Sequence, residues 1–433
     1  MGSIYNDDQG RPLVAVTGMG LITSLGQGLE ENWAAACEGR SGISPITRFP
    51  TDFLRTRIAG TVDFVPLPAF NPVERGFALA RETVAEALGA SGLRADFGGP
   101  LFLAASPVEP EWEARFALAD RSPPVAEGAT AYDRFLAAMR ERRDPIFHDA
   151  AAFGTVAERL ADKFGTRGLP VTVSTACASG ATAIQLAVEA IRQGRADRAL
   201  AVATEGSITA EALIRFQLLS ALSTQNGDPA RASKPFSCER DGFVMAEGAA
   251  ALVLEPLARA ASRGAKIFGY VRGCADKADA FHRTRSSPDG IPAVETMRAA
   301  LADAGLHPDE IGYVNAHGTS TPENDKMEYG ATSAVFGGRL ADLPVSSNKS
   351  MIGHTISAAG AIEAVFSLLS VGRNTLLPTI NYDRPDPAIP LDVVPNVRRS
   401  MEVRHVLSNS FGFGGQNASL VLSRADQVPG GPT

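Results

Sequence analysis

Apolar, β-branched runs in this chain repeatedly give way to a turn of small residues and then to an Ala-rich helical pattern. This alternation narrows the fold more than any other feature. "VTVSTACASGATAIQLAVEAI", residues 171–191, is the clearest instance: a strand, a small-residue turn holding Cys177, then a helix-like run. "PLVAVTGMGLITSLG" reads as a buried strand and Gly-rich turn, "PVERGFALARETVAEALGASG" as an amphipathic helix closed by Gly, and "RALAVATEGS" as another strand. After "GAAALVLEPLARAASRG" a second series begins: "IFGYVRGCADK", a helix near 293–305, "IGYVNAHGTS", a helix near 325–336, "LPVSSNKSMIGH", a helix near 356–371, and two last strands ending "SNSFGFGGQNASLVLS". Such alternation predicts α/β architecture, with parallel-rich sheets covered by helices. Residues 106–150, rich in Pro, charge and aromatics, break the pattern and read as an irregular insertion or cap.

At 433 residues and 45% hydrophobic, the chain exceeds the usual single-domain size, so two domains or a duplicated unit are expected. "VTVSTACASGATAIQLAVEAI" and "PVSSNKSMIGHTISAAGAIEAVFSLL" echo each other: β-run, small-residue turn, reactive side chain, Ala-rich helix. The formal charge of −7 excludes a general nucleic-acid or membrane-surface binder, and an anionic partner would need a local basic patch. The four cysteines (Cys37, Cys177, Cys238 and Cys274) show no CxxC and no disulfide spacing, which fits a reducing cytoplasm. The polar start "MGSIYNDDQGRP" does not read as a signal peptide, and no apolar run approaches the ~18 residues of a span, so no membrane insertion is expected.

A thiol at a helix N-terminus faces unpaired N–H groups, which lower its pKa and make it a usable nucleophile. Ala176, Ala178, Ser179 and Gly180 leave room for a substrate beside Cys177. Most buried cysteines are inert, so the companions decide. They are "NAHGTSTPENDKMEYG" with His317, "SNKSMIGHTISAAGAIEA" with Lys349 and His354, and "NSFGFGGQN" with Phe411. Both histidines follow predicted strands, where α/β folds place working groups, and neither has metal-ligand spacing. The expected site is one thiol, two imidazoles and one ammonium, without metal. The remaining histidines, His148, His282, His307 and His405, have no such setting.

With "TACASG", "ALSTQNGDPARASKPFSCERDGFVMAEGAA" and the three companion motifs in order, the chain resembles a β-ketoacyl-acyl-carrier-protein synthase of the type I/II (Cys-His-His) class, in the thiolase superfamily. The resemblance runs from "VAVTGMG" to "GQNASLVL". It implies a five-layer αβαβα sandwich of two pseudo-repeated βαβαβαββ halves, 12–260 and 266–424, and a homodimer. It implies that Cys177 accepts the acyl chain and that His317 and His354 serve the malonyl thioester. Lys349 is then the motif lysine, and Asp325 and Glu328 tie into the network of the first histidine. Phe411 is the gate, and its N–H joins that of Cys177 as oxyanion donor. Glu363 resembles an acidic residue near a structural monovalent cation in some members. No cofactor is expected beyond the phosphopantetheine that arrives on the carrier.

The implied reaction is decarboxylating Claisen condensation of the acyl group on Cys177 with malonyl-acyl-carrier protein, giving 3-oxoacyl-acyl-carrier protein. The alternatives are a ketosynthase subunit of a specialised or polyketide-type pathway, or a non-catalytic acyl-binding partner subunit. A degradative thiolase would use a second, later cysteine, and none follows Cys274. For docking an acidic carrier, Arg140, Arg142 and Arg143 are the densest basic cluster, with Arg55 and Arg57 as a second candidate. Counting from relatives places Phe147 across the dimer in the partner's acyl pocket and Val108 near that pocket's floor, predicting medium to long saturated chains. The chain departs from the family pattern at Gln416, Ala246 and Ala250. "VATEGS" replaces a Gly-Gly-rich turn, and the basic cluster near 68–76 is reduced to Arg75.

Overall fold

Val14–Thr23 is apolar at most positions and buried along its whole length, as a strand covered on both faces must be. It stands at the middle of a twelve-stranded sheet in the computed structural model, which describes residues 4–66, 71–93, 96–141 and 145–426. The sheet repeats one arrangement twice. In the N-terminal half the spatial order runs Val171–Val173, Leu101–Ala105, Ala199–Glu205, Gly248–Pro256, Val14–Thr23. In the C-terminal half it runs Pro344–Ser346, Tyr313–Asn315, His405–Phe411, Gln416–Ser423, Gly269–Ala278. Each half is therefore ordered third, second, fourth, fifth, first. In each half the second strand pairs in parallel with the third and fourth, and the fifth is antiparallel. The two first strands meet antiparallel, with Val14 opposite Val271, and Asp392–Val393 extends the C-terminal edge.

Helices Ser179–Arg192 and Ala359–Arg373 touch each other and strands of both halves, so they form a middle layer. Pro72–Ser91 covers the N-terminal half outside, started by the Asn71 side chain, which accepts the Val73 and Glu74 N–H groups. Ile291–Ala304, backed by Pro322–Phe336, covers the C-terminal half. The result is helix, sheet, helix, sheet, helix. The middle helices cross through glycine. A Cβ on Gly180 would lie 2.5 Å from the Ala361 nitrogen, and one on Gly360 would lie 2.7 Å from the Ala181 nitrogen. The two turns that echo in sequence thus meet at one crossing.

Two expectations need correction. The segment 106–150 is not irregular: Trp112–Ala119, Ala131–Glu141 and Pro145–Ala151 are helices around a small cluster of Leu118, Ala138 and Phe147. And one stretch, Ile356–Arg373, is long and apolar enough to cross a membrane by length and composition. It is 89% buried inside the protein, however, and carries Glu363, which marks it as the core helix of the sandwich. Arg142, Arg143 and the tail from residue 427 lie outside the described residues.

Candidate active site

Cys177 is aimed by a strained turn. Ala176 has φ 49, and the Ser179 hydroxyl, 2.6 Å from the Ala176 carbonyl, accepts the Thr175 N–H at 2.8 Å. A non-glycine residue in this region marks a turn held by its surroundings. Only small residues fit around it: a Cβ on Gly412 would come within 3.3 Å of the Ala176 Cβ.

The sequence-predicted groups converge. His354 Nε2 is 3.1 Å from the Cys177 sulfur, and ligating atoms of Cys177, His317 and His354 all lie within 4.8 Å of one another. The imidazoles stand edge to face at 5.4 Å, and the Phe411 ring is 5.9 Å from His317. Each ring is fixed through Nδ1. The Ile356 N–H donates to His354 Nδ1 at 3.2 Å, and Lys349 Nζ lies 3.3 Å from His317 Nδ1. With Nδ1 an acceptor, Nε2 carries the proton on both rings. Burial, then the Lys349 charge, holds both imidazoles well below their usual pKa, so both are neutral at pH 7.

Lys349 is buried, donates to the His317 carbonyl at 2.7 Å, and forms an ion pair with Glu363. Glu328 accepts the His317 and Gly318 N–H groups at 2.8 Å each, and Asp325 accepts the Phe236 N–H at 2.8 Å. Burial pushes Glu328 and Glu363 up to about 7. Glu363 Oε2 and Asn315 Oδ1 are buried oxygens without a hydrogen-bond partner among the described residues. Hard oxygen donors of this kind suit a small monovalent cation.

The thiol overturns the expectation of a lowered pKa. Burial pushes Cys177 up to about 11, outweighing the N–H groups of Phe413 and Cys177 and the Lys349 charge. Alkylation of Cys177 by iodoacetamide, read peptide by peptide, is therefore expected to rise roughly tenfold per pH unit between about pH 7 and about pH 9. A plateau below about pH 9 would overturn this. Exposed Cys238 serves as the internal control.

The donor expected from Phe411 also needs correction. Phe411 closes the strand His405–Phe411, and the backbone N–H that favours the Cys177 thiolate, besides its own, is that of Phe413 in the loop beyond it. Phe413 follows Gly412 and precedes Gly414 and Gly415, both at positive φ, so this loop can bring its backbone close. In "FGFGGQ" the second Phe has glycine on both sides, and that signal could have identified it.

Cys177, His317, His354, Phe411 and Phe413 line a cavity of ≈ 860 Å³. Phe243 packs on His354 at 5.2 Å, and Thr319 and Thr321 lie along the wall, none of them anticipated. Arg285 and Lys326 also line it. Val108 does not: it lines a separate recess with Ser106, Phe153 and Glu205. Phe147 is buried in its own chain's cap cluster, 5.5 Å from Phe135, instead of projecting outward. Arg140 is exposed on a cap helix and lines neither space. Arg55 and Arg57 are exposed, and their N–H groups bond to Gln217 and Asn226, flanking the segment whose Leu219–Ala221 line the cavity. Arg75 is buried against Glu247 and Asp63, which removes it from docking.

Comparison with known proteins agrees with this geometry. Residues 12–89 and 125–260 match the family model "Beta-ketoacyl synthase, N-terminal domain", and 268–383 match "Beta-ketoacyl synthase, C-terminal domain". The 3-oxoacyl-[acyl-carrier-protein] synthase 2 of Coxiella burnetii is 37% identical over 417 residues, covering 95% of this chain and 98% of that protein. The tetracenomycin polyketide synthase ketoacyl synthase alpha subunit of Streptomyces glaucescens is 37% identical over 421 residues, covering 96% and 98%. Among solved structures, a type II polyketide acyl-carrier protein in complex with its hexaketide-bound ketosynthase gives a TM-score of 0.83 at 33% identity, covering 96% of this chain and 100% of that one.

Proposed function

The chain belongs to the beta-ketoacyl synthase family, and from that premise we propose that it carries the acyl group on Cys177 and condenses it with a malonyl unit held by an acyl-carrier protein. It is a condensing ketosynthase of the 3-oxoacyl-[acyl-carrier-protein] synthase type. The observation that carries the residue assignment is the 3.1 Å contact between the Cys177 sulfur and His354 Nε2, inside a cavity that His317 shares.

The sulfur first displaces the carrier thiol from the acyl thioester, leaving the acyl group on Cys177 and its proton on the departing thiol. The Cys177 and Phe413 N–H groups act on the sulfur, beside which the acyl carbonyl oxygen becomes the tetrahedral oxyanion of this exchange. A malonyl thioester then loses CO2, and the electron pair passes to its α-carbon and thioester oxygen. The Nε2–H groups of His317 and His354 donate to that oxygen, and the surrounding apolar walls strengthen both bonds. The α-carbon attacks the acyl carbonyl, the Cys177 sulfur leaves, and the sulfur takes up one proton from solvent, replacing the one that left with the carrier thiol. Lys349 and Glu328 hold His317 from behind. Asn315 and Glu363 are the residues that would hold a structural cation, whose charge would offset the buried carboxylate.

The chain reads as two halves, 12–260 and 266–424, joined into one site. A homodimer is supported by the edge strand Val171–Val173, which leaves Val171 exposed beside Leu169 and, among the described residues, pairs on one side only, so that a second copy could pair with the other. A cytoplasmic location is supported by the four free cysteines. Docking at Arg55 and Arg57 is supported by their position beside the cavity, and an acidic carrier would complement them.

Incubation with acyl-carrier protein should add one acyl mass to the Cys177 peptide. Charge reversal at Arg55 and Arg57 should slow that transfer and raise the apparent KM for the carrier while sparing a small acyl thioester. Absence of an adduct would overturn the enzyme assignment, and equal slowing of both donors would overturn the docking role.

A further inference from the structure

Glu205 ends the strand Ala199–Glu205 and is buried, an uncommon place for a carboxyl group. It belongs to "VATEGS", the turn that departs from the Gly-Gly-rich pattern, and the chemistry above does not use it. Its oxygens are surrounded by donors. Oε1 accepts the Ser207 N–H at 3.1 Å and the Ser207 hydroxyl. Oε2 accepts the Ser106 hydroxyl at 2.6 Å and the Ser357 N–H at 3.4 Å, and the Ser357 hydroxyl lies 2.9 Å away. That hydroxyl also lies 2.8 Å from the Thr204 carbonyl, so its single proton serves one acceptor at a time.

Ser357 follows Ile356, and Ile356 has φ 40. For a β-branched residue this conformation is strained and persists only when its surroundings over-determine it. The upstream side is fixed by an isolated bridge to Met245: the His354 N–H donates to the Val244 carbonyl at 2.7 Å, and the His354 carbonyl accepts the Ala246 N–H at 2.9 Å. Downstream, the side chain that reaches the turn from another strand is Glu205, through Ser357. Between the two anchors lies the Ile356 N–H that bonds His354 Nδ1 at 3.2 Å.

We propose that Glu205 is a positioning residue: it clamps Ser357, which keeps the strained Ile356 N–H on His354 Nδ1 and so keeps the Nε2 proton facing the Cys177 sulfur. This rests on the reading of His354 as an Nε2–H donor. A turn free to relax lets Nδ1 lose its partner, and the ring then exchanges tautomers and swings.

The test compares Glu205→Ala, Glu205→Gln and Ser357→Ala with the full-length wild type. In Glu205→Ala and Ser357→Ala, kcat for malonyl-thioester decarboxylation should fall on the order of tenfold, a fraction of the ~10²–10³ expected when a donor is removed outright. KM should stay within about twofold, because Glu205 and Ser357 are buried and do not line the cavity that holds Cys177. Glu205→Gln, whose amide oxygen can still accept from Ser357, should recover part of the rate. Nitrogen-15 spectra of the six histidines, with His354 assigned by His354→Asn, should show a fixed Nε2–H tautomer in the wild type and tautomer averaging in both alanine variants. Wild-type rates and an unshifted His354 signal in folded Glu205→Ala and Ser357→Ala would overturn the proposal. If Glu205→Ala does not fold, Ser357→Ala decides by the same readouts. A wild-type protein without decarboxylation would instead overturn the parent reading, while the spectra would still report on the clamp.

Discussion

Alanine at His317 or at His354 is expected to cut malonyl-thioester decarboxylation by about 10²–10³ each, while Cys177→Gln abolishes condensation and keeps decarboxylation. The two effects separate because the groups act on different atoms. In the proposed mechanism the sulfur holds the acyl chain, and an amide in its place can mimic the acylated state. The two Nε2–H donors serve the enolate oxygen of the other substrate. Both imidazoles are neutral, held down by burial and by Lys349, so the donors are in place throughout the neutral range. The Cys177→Gln rate should therefore be flat between about pH 6 and about pH 8. Wild-type decarboxylation in both histidine variants would sink the two-donor mechanism, and a steep loss towards pH 6 would mean that a charged imidazole had entered the cycle.

Lys349→Met should be strongly destabilising, by about 3–5 kcal/mol near pH 8, because it leaves Glu363 buried without its cation. The pH dependence carries the sign. Burial already raises Glu363 to about 7, against an ordinary value of 4.5. A carboxyl raised in the folded state favours folding when protonated, and that contribution is lost as pH rises through the folded value. Removing the ammonium raises the folded value further. The penalty of the variant should thus be largest near pH 8 and shrink towards about pH 5.5, as Glu363 takes up a proton. Denaturant unfolding at the two pH values measures this, and an equal penalty at both would show that the pair is not what the lysine supplies.

The candidate site is legible because each member sits in a short turn after a strand, and such turns announce themselves through Gly, Ser and Thr. Cys177, His317, Lys349 and His354 lie together as that pattern implied. What failed was anything that depends on a neighbour from elsewhere in the chain. The depressed thiol pKa followed from the helix start alone, and burial by distant segments reversed it. The motif read as a unit points to Phe411, whereas the N–H that acts on the sulfur belongs to Phe413, two residues on in the glycine loop. Counting back from the nucleophile places Phe147, and likeness to relatives places Val108, at the acyl pocket, but the cap folds its own small core and draws Phe147 into it. Helical structure in the cap was hidden by its Pro and charge content. Glu205 stood out as a departure, yet its partner Ser357 lies 152 residues away and no local pattern links them.

The crossing of the two middle helices at Gly180 and Gly360 has a mechanical consequence. Cys177 stands just before one helix and His354 just before the other, so the crossing acts as a shared fulcrum a few residues from both reacting atoms. A lever arm this short converts any tilt of the outer layers into only a small change in the sulfur-to-nitrogen separation. The walls of the cavity, the cap and the surface that receives the carrier can therefore drift with the substrate they accept, while the bond-making distance stays calibrated. A methyl group added at either glycine pushes the helices apart at the pivot itself, so its damage should appear first in the spacing of the reacting pair.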